Sequence, residues 1–198
     1  MLIGILALQG DFAAHAAAVE SFGALGARPR LVRTVADFDG LDALILPGGE
    51  STAMLKLLAQ DGLWDRLKEF VSSKPTFGTC AGAILLAKRV TSPQQASLGA
   101  LDATLVRNGY GRQIDSSIRH AQIEPAFTEP LQAGELETVL IRAPRFRDLG
   151  PEVEVVAKVG DEPVLVRQGH TLAASFHPEL SNENRVHAWF LRSLTKSG

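Results

Sequence analysis

Pro75-Thr76-Phe77-Gly78-Thr79-Cys80-Ala81-Gly82-Ala83-Ile84-Leu85-Leu86-Ala87 runs from a short apolar segment, through a pair of glycines, into a stretch with helical spacing. A strand that turns sharply into a helix is the building unit of α/β sheets, and the turn lifts its central side chain out of the sheet's carboxyl end. That side chain is Cys80, the only cysteine among 198 residues. Two readings of it stand side by side. A solitary cysteine fits an interior as a small hydrophobe. At this turn it is also placed to react, because the free N–H groups and positive dipole end of the next helix favour thiolate over thiol.

Working outward, the same alternation fills the N-terminal half. Strand-like runs at Leu2–Leu8, Pro29–Arg33, Leu41–Leu46 and Pro75–Thr79 alternate with helical spacing near 12–25, 52–60, 63–72 and 81–89. That order predicts βαβ units and a parallel sheet, and the nearly unbroken apolar runs predict strands covered on both faces. Right-handed crossovers then bring Gln9-Gly10-Asp11, Pro47–Ser51 and the Gly78–Gly82 turn to one edge of the sheet, where ligands collect. Beyond about residue 100 the runs shorten: Ala103–Arg107, Ile118–Glu124, Thr138–Arg142, Val153–Val159, Val164–Arg167 and Leu172–Phe176. These predict a mixed or antiparallel extension. A closing helix is expected after Ser181 or Asn182, both suitable N-caps, with Val186, Trp189, Phe190 and Leu194 on its buried face. No repeat or linker divides the chain, so one domain over residues 1–198 is expected.

Composition narrows the setting. With 45% hydrophobic and 21% charged residues the chain suits a folded globule rather than a disordered or membrane-spanning one. A net charge of −2 offers no electrostatic case for nucleic acid or anionic membrane. The apolar start at Met1–Leu8 lacks a basic flank, so it reads as a buried strand and not a signal peptide. One cysteine permits no internal disulfide framework, which fits a reducing cytoplasm. Between Lys88 and Lys158 the cations are all arginines, namely Arg89, Arg107, Arg112, Arg119, Arg142, Arg145 and Arg147. Their planar fork suits a carboxylate or phosphate.

Of five histidines, only His177 has a carboxylate two positions on, in Phe176-His177-Pro178-Glu179. In an extended segment these two side chains share a face, so Glu179 can hold one imidazole nitrogen and leave the other free. A structural strand-end histidine and a catalytic base are both consistent with that pattern. Pro47-Gly48-Gly49-Glu50-Ser51-Thr52 adds a loop whose glycines allow close backbone approach, with an N–H from the Gly49 region and that of Ala81 available to an oxyanion. Ser51 also suits the N-cap of the next helix.

Together these residues resemble the triad-type glutamine amidotransferases, with Cys80 in a Gly-x-Cys-x-Gly turn and a late His177-x-Glu179. Leu8-Gln9-Gly10, Pro47–Thr52, Gly78–Gly82, Arg107–Gln113 with Asp115-Ser116, Ile141–Pro144 and Ser175–Leu180 narrow the similarity to the glutaminase subunits of pyridoxal 5′-phosphate synthases. The resemblance implies a flavodoxin-like three-layer α/β sandwich, with a mostly parallel central sheet and an antiparallel extension. It implies hydrolysis of L-glutamine to glutamate and ammonia, with Cys80 as nucleophile, His177 as base and Glu179 orienting it. It assigns substrate binding to Gly49, Glu50, Ser51, Arg107, Ile141 and Arg142, and the oxyanion hole to Gly49 and Ala81. It further implies docking on a barrel-shaped synthase subunit through the segment around Gln9 and Gly10, a protected route for ammonia, and no cofactor or metal in this chain. Ala14 stands where many relatives carry an acidic residue before the histidine, and His15 lies outside the implied catalytic set. The alternatives are a glutaminase serving another synthase, as in histidine or purine synthesis, and a nonenzymatic regulatory module on the same fold.

Overall fold

Alternation along the first strands explains how a sheet comes to be buried on both sides. The computed structural model describes residues 1–107, 109, 116–181 and 183–195. Its first half contains β1 (Leu2–Leu6), α1 (Phe12–Ser21), β2 (Arg28–Val32), β3 (Ala43–Leu46), α2 (Ser51–Leu58), α3 (Leu63–Ser73), β4 (Thr76–Thr79) and α4 (Ala81–Leu86). There follow β5 (Ala87–Thr91), β6 (Leu101–Val106), β7 (Ser116–Ile123), α5 (Thr128–Leu131), β8 (Glu135–Ile141), β9 (Arg145–Arg147), β10 (Glu154–Val159), β11 (Glu162–Gln168), β12 (Thr171–Ala174) and α6 (Arg185–Thr195).

In β1 and β3, Ile3, Ile5, Ala43 and Ile45 join one apolar cluster, while Leu6, Leu44 and Leu46 join the other. Each strand thus serves two cores, and a helical layer closes each of them. On one side α3 contributes Leu63, Leu67, Phe70 and Val71, spaced for one helical face. On the other, α6 contributes Val186, Trp189, Phe190 and Leu191. Phe77 of β4 is fully buried beneath α6, its ring 5.6 Å from that of Phe190. Truncating such a side chain costs about 3–5 kcal/mol.

The main sheet has nine strands in the order β2-β1-β3-β4-β12-β11-β10-β7-β8. Pairing is parallel from β2 through β12 and antiparallel from β12 onward. The expected extension is therefore continuous with the parallel half. A smaller sheet, β5-β6-β9, packs alongside.

Several boundaries differ from expectation. The helix expected over 81–89 ends at Leu86, and Ala87–Thr91 pairs in parallel with β6. The helix expected over 12–25 stops at Ser21 and gives way to a short turn at Gly23–Leu25. The last helix begins at Arg185 rather than directly after Ser181, and Asn182 lies outside the described residues. Glu50, not Ser51, caps α2: its carboxylate accepts from the N–H of Thr52 at 2.9 Å and of Ala53 at 2.6 Å. Among the described residues no helix is long and apolar enough to cross a membrane.

Candidate active site

The turn after β4 holds Cys80 at φ 46° and ψ −103°, a conformation that costs an L-residue about 1–3 kcal/mol and persists only when its surroundings impose it. Two hydrogen bonds do so. The Cys80 N–H donates to the Ala174 carbonyl at 2.9 Å, and the Cys80 carbonyl accepts from the Ile84 N–H at 3.1 Å. Close packing of the turn explains its second glycine, since a Cβ at Gly82 would lie 1.9 Å from the Leu46 carbonyl oxygen.

The strand beside β4 delivers the histidine. In the β4–β12 ladder Thr79 stands opposite Ala174, so the chain leaving each strand emerges at the same end. His177 follows, anchored by its N–H to the Val139 carbonyl at 2.9 Å, and its Nδ1 is 2.8 Å from Glu179 Oε1. The geometry reaching that contact is not the extended one expected, because Pro178–Leu180 forms a single tight helical turn. Glu179 reaches the imidazole by curling back. Burial opposes charge on Glu179, yet the His15 imidazole facing one oxygen and the His177 hydrogen bond to the other outweigh it and hold the carboxyl well below the usual carboxylate range. Burial also opposes the His177 imidazolium, but hydrogen bonds with Cys80 and Glu179, and their charges, raise its pKa well above that of an ordinary histidine. The site therefore favours a charged imidazole between a carboxylate and a sulfur.

The Pro47–Thr52 loop closes over this pair. A Cβ at Gly48 would fall 2.3 Å from His177 Cε1, so only glycine lets the loop lie against the ring. Gly49 follows at φ +137°. The Gln9 side chain clamps the next residue: its Nε2 donates to the Glu50 carbonyl at 3.0 Å, and its Oε1 accepts from the Glu50 N–H at 3.2 Å. The Ser51 hydroxyl donates to Gln95 Oε1 at 2.9 Å. Arg107 donates to Thr52 Oγ1 at 3.0 Å and to Glu50 Oε1 at 3.3 Å. Arg142, also at positive φ, is exposed at the mouth.

All six expected substrate residues, Gly49, Glu50, Ser51, Arg107, Ile141 and Arg142, line one cavity of about 240 Å³ together with Cys80 and His177. That is smaller than the ~300–1,000 Å³ of drug-sized pockets and matches a small polar metabolite. Ala81, the other expected oxyanion donor, is buried directly after Cys80. A larger cavity of about 520 Å³ beside Phe127, Arg167 and Trp189 has neither cysteine nor histidine in its walls. From the Arg107–Gln113 block and Asp115, Asn108 and residues 110–115 lie outside the described residues.

Four residues were given no role by the sequence reading. Asp11 lines the cavity and, with His177 and Glu179, offers three potential metal-ligating atoms within 4.8 Å of one another. His177 and Glu179 already satisfy one another, so a cation there would compete with their hydrogen bond. His15, Thr79 and His187 form a buried polar group behind Glu179. Nothing in local spacing points to them, because α1, β4 and α6 meet only through the fold.

Known proteins resemble the chain along nearly its whole length. A protein of Solibacter usitatus (strain Ellin6076) named pyridoxal 5′-phosphate synthase subunit PdxT is 50% identical over 192 residues, covering 97% of this chain and 98% of its own. Another of that name from Thermus thermophilus is 47% identical over 193 residues, covering 96% of each. A crystal structure described as a glutamine amidotransferase superposes with a TM-score of 0.86 at 46% identity, covering 98% of both chains. Since residues 5–196 also match the family as a whole, from the first strand to the last helix, the chain belongs to the SNO glutamine amidotransferase family.

Proposed function

We propose that this chain is the glutaminase subunit of a pyridoxal 5′-phosphate synthase, and that Cys80, His177 and Glu179 carry its chemistry. One observation carries the reading: Cys80 and His177, the latter hydrogen-bonded to the buried Glu179, open onto the same cavity as the six residues expected to bind glutamine. The names of the relatives supply the pathway.

In the proposed reaction the Cys80 sulfur attacks the side-chain amide carbon of L-glutamine while His177 holds the thiol proton. Charge on the carbonyl oxygen is met by the N–H groups of Gly49 and Ala81. Collapse of the tetrahedral species breaks the C–N bond, and His177 returns its proton to the departing nitrogen, which leaves as ammonia. Water then attacks the thioester with His177 as base, releasing glutamate and regenerating the thiol. Glu179 keeps the proton on His177 Nδ1 and stabilises the imidazolium. Arg107 and Arg142 are suited to the substrate α-carboxylate. Arg107 is pre-oriented by Glu50 and Thr52, which makes it the more rigid of the two. Ammonia would be mostly ammonium in neutral water, so its delivery requires a partner docked over the site, with the segment around Gln9 and Gly10 at the contact.

Glutamate release from L-glutamine, measured with and without the cognate synthase subunit, tests the proposal. Release that rises on adding the partner and vanishes in Cys80→Ala is the expected result. Activity that survives in Cys80→Ala would remove the assigned nucleophile.

A further inference from the structure

Behind the triad lies a chain of buried polar groups that the reaction above leaves unused. His15 of α1 and His187 of α6 are both fully buried. His15 Nδ1 is 3.0 Å from His187 Nε2. His15 Nε2 is 3.1 Å from Thr79 Oγ1 and 3.3 Å from Glu179 Oε2. Glu179 Oε2, the oxygen that His177 does not take, has no hydrogen bond of standard geometry among the described residues, so His15 is the complementary group facing it.

Proton positions along this chain follow from chemistry. A bare nitrogen lone pair 3.3 Å from a carboxylate oxygen is repulsive, so His15 Nε2 carries a proton, shared between Thr79 Oγ1 and Glu179 Oε2. A neutral His15 then presents a lone pair at Nδ1, and the facing His187 Nε2 must supply the proton. That leaves His187 Nδ1 bare, and it is the nitrogen that has no hydrogen-bond partner among the described residues. The opposite polarity would put a proton on His187 Nδ1, a buried donor with no acceptor, which costs more than a bare acceptor in the same place. Burial, the largest influence, pushes the His187 pKa down to about 3, which keeps that ring neutral.

Resting on the proposed glutaminase reading, we infer that His15 is a positioning residue for Glu179, and that His187 fixes the tautomer in which His15 presents an N–H to the carboxylate. The triad acid is then held at both oxygens: His177 donates to Oε1 and His15 faces Oε2. Its orientation is set by two long-range elements, α1 and α6, rather than by the short turn that bears it. Packing supports the arrangement from below, where Phe77 meets both imidazoles edge-on, with ring centroids 6.4 Å from His15 and 5.7 Å from His187.

Two measurements test this. In the full chain labelled with 15N-histidine, long-range 1H–15N correlation should show His15 and His187 both protonated at Nε2 and His177 protonated at Nδ1. A His15 protonated only at Nδ1 overturns the inference, whatever the enzyme's activity. In the complex with the synthase subunit, His15→Leu should lower kcat for glutamate release about 10- to 100-fold with KM within about twofold, by analogy with the loss of an outer partner that orients a metal-bound histidine or carboxylate. His15→Gln, whose amide nitrogen reaches the Nε2 position, should recover most of that loss. Equal impairment of both variants at equal folded fraction, or unchanged kcat in His15→Leu, overturns the positioning role. If the unaltered complex releases no glutamate, the proposed function fails, and the tautomer measurement alone decides the proton order.

Discussion

Cys80 carries two demands that conflict, since a side chain is needed for chemistry while the backbone conformation suits glycine. The strain should appear once chemistry is set aside. Cys80→Gly and Cys80→Ala are both expected to be inactive, but thermal unfolding should find the glycine variant more stable by about 1 kcal/mol, because glycine adopts positive φ freely. A second expectation concerns His177. Its pKa is raised on folding, so the stability it contributes is complete below its unfolded value of 6.5 and is lost as pH climbs through the raised folded value. Glu179, depressed on folding, contributes above the ordinary carboxylate range and loses that contribution only in acid. Urea midpoints measured from pH 7 upward should therefore decline more steeply for the unaltered chain than for His177→Gln. Parallel slopes would separate the imidazole from the fold's alkaline sensitivity. Cys80 and the His177–Glu179 pair were legible as candidates in a glycine-flanked turn and an i, i+2 pair, patterns that also allow a buried cysteine and a structural histidine. His15 was not, because its role depends on where α1 lies and no local pattern encodes that.

At the scale of elements, capping and pairing decide what local preference leaves open. Glu50 ends a loop that covers the site and also caps α2, with Arg107 leaning on the same carboxylate. Glu50→Ala should cost about 1 kcal/mol of stability, about 2–4 °C in Tm for a chain of this size. It should also raise KM for glutamine, because Arg107 loses one of its two anchors. Calorimetry and steady-state kinetics on one preparation check both, and an unchanged KM would detach Arg107 from the substrate. The parallel strands were readable because their apolar runs are bounded by glycines and polar turns. The boundary at Leu86 was not. Apart from Ile84, Ala83–Lys88 consists of good helix formers, yet Ala87, Val90 and Thr91 pair with Leu101, Leu105 and Val106. Long-range pairing thus overrides local propensity. The Arg145–Arg147 strand is too short to show any period. At the start of α6, Glu183 accepts from the Arg185 N–H and guanidinium, and the Ser181 hydroxyl accepts in turn from the Glu183 N–H, so Ser181 and Glu183 are linked by a hydrogen bond ahead of the helix.

For the whole molecule, the proposed partnership makes a claim about nitrogen. If ammonia passes directly from this chain to the synthase, glutamine labelled with 15N at its amide should label the synthase product without dilution by added unlabelled ammonium. Dilution in proportion to the free pool would show release to solvent instead. The architecture also bears on when the site can exist. Among the described residues β12 is the last strand but lies in the middle of the sheet, and its ladder with β4 joins the parallel half to the antiparallel half. A chain still being synthesised therefore keeps the edge of β4 open, beside the finished Cys80 turn, until residues 171–174 arrive. Pairings of such long sequence separation form slowly. Glutaminase activity should thus be among the last properties to appear on refolding, and shortened chains that lack the final strand should aggregate through the unfilled centre of the sheet.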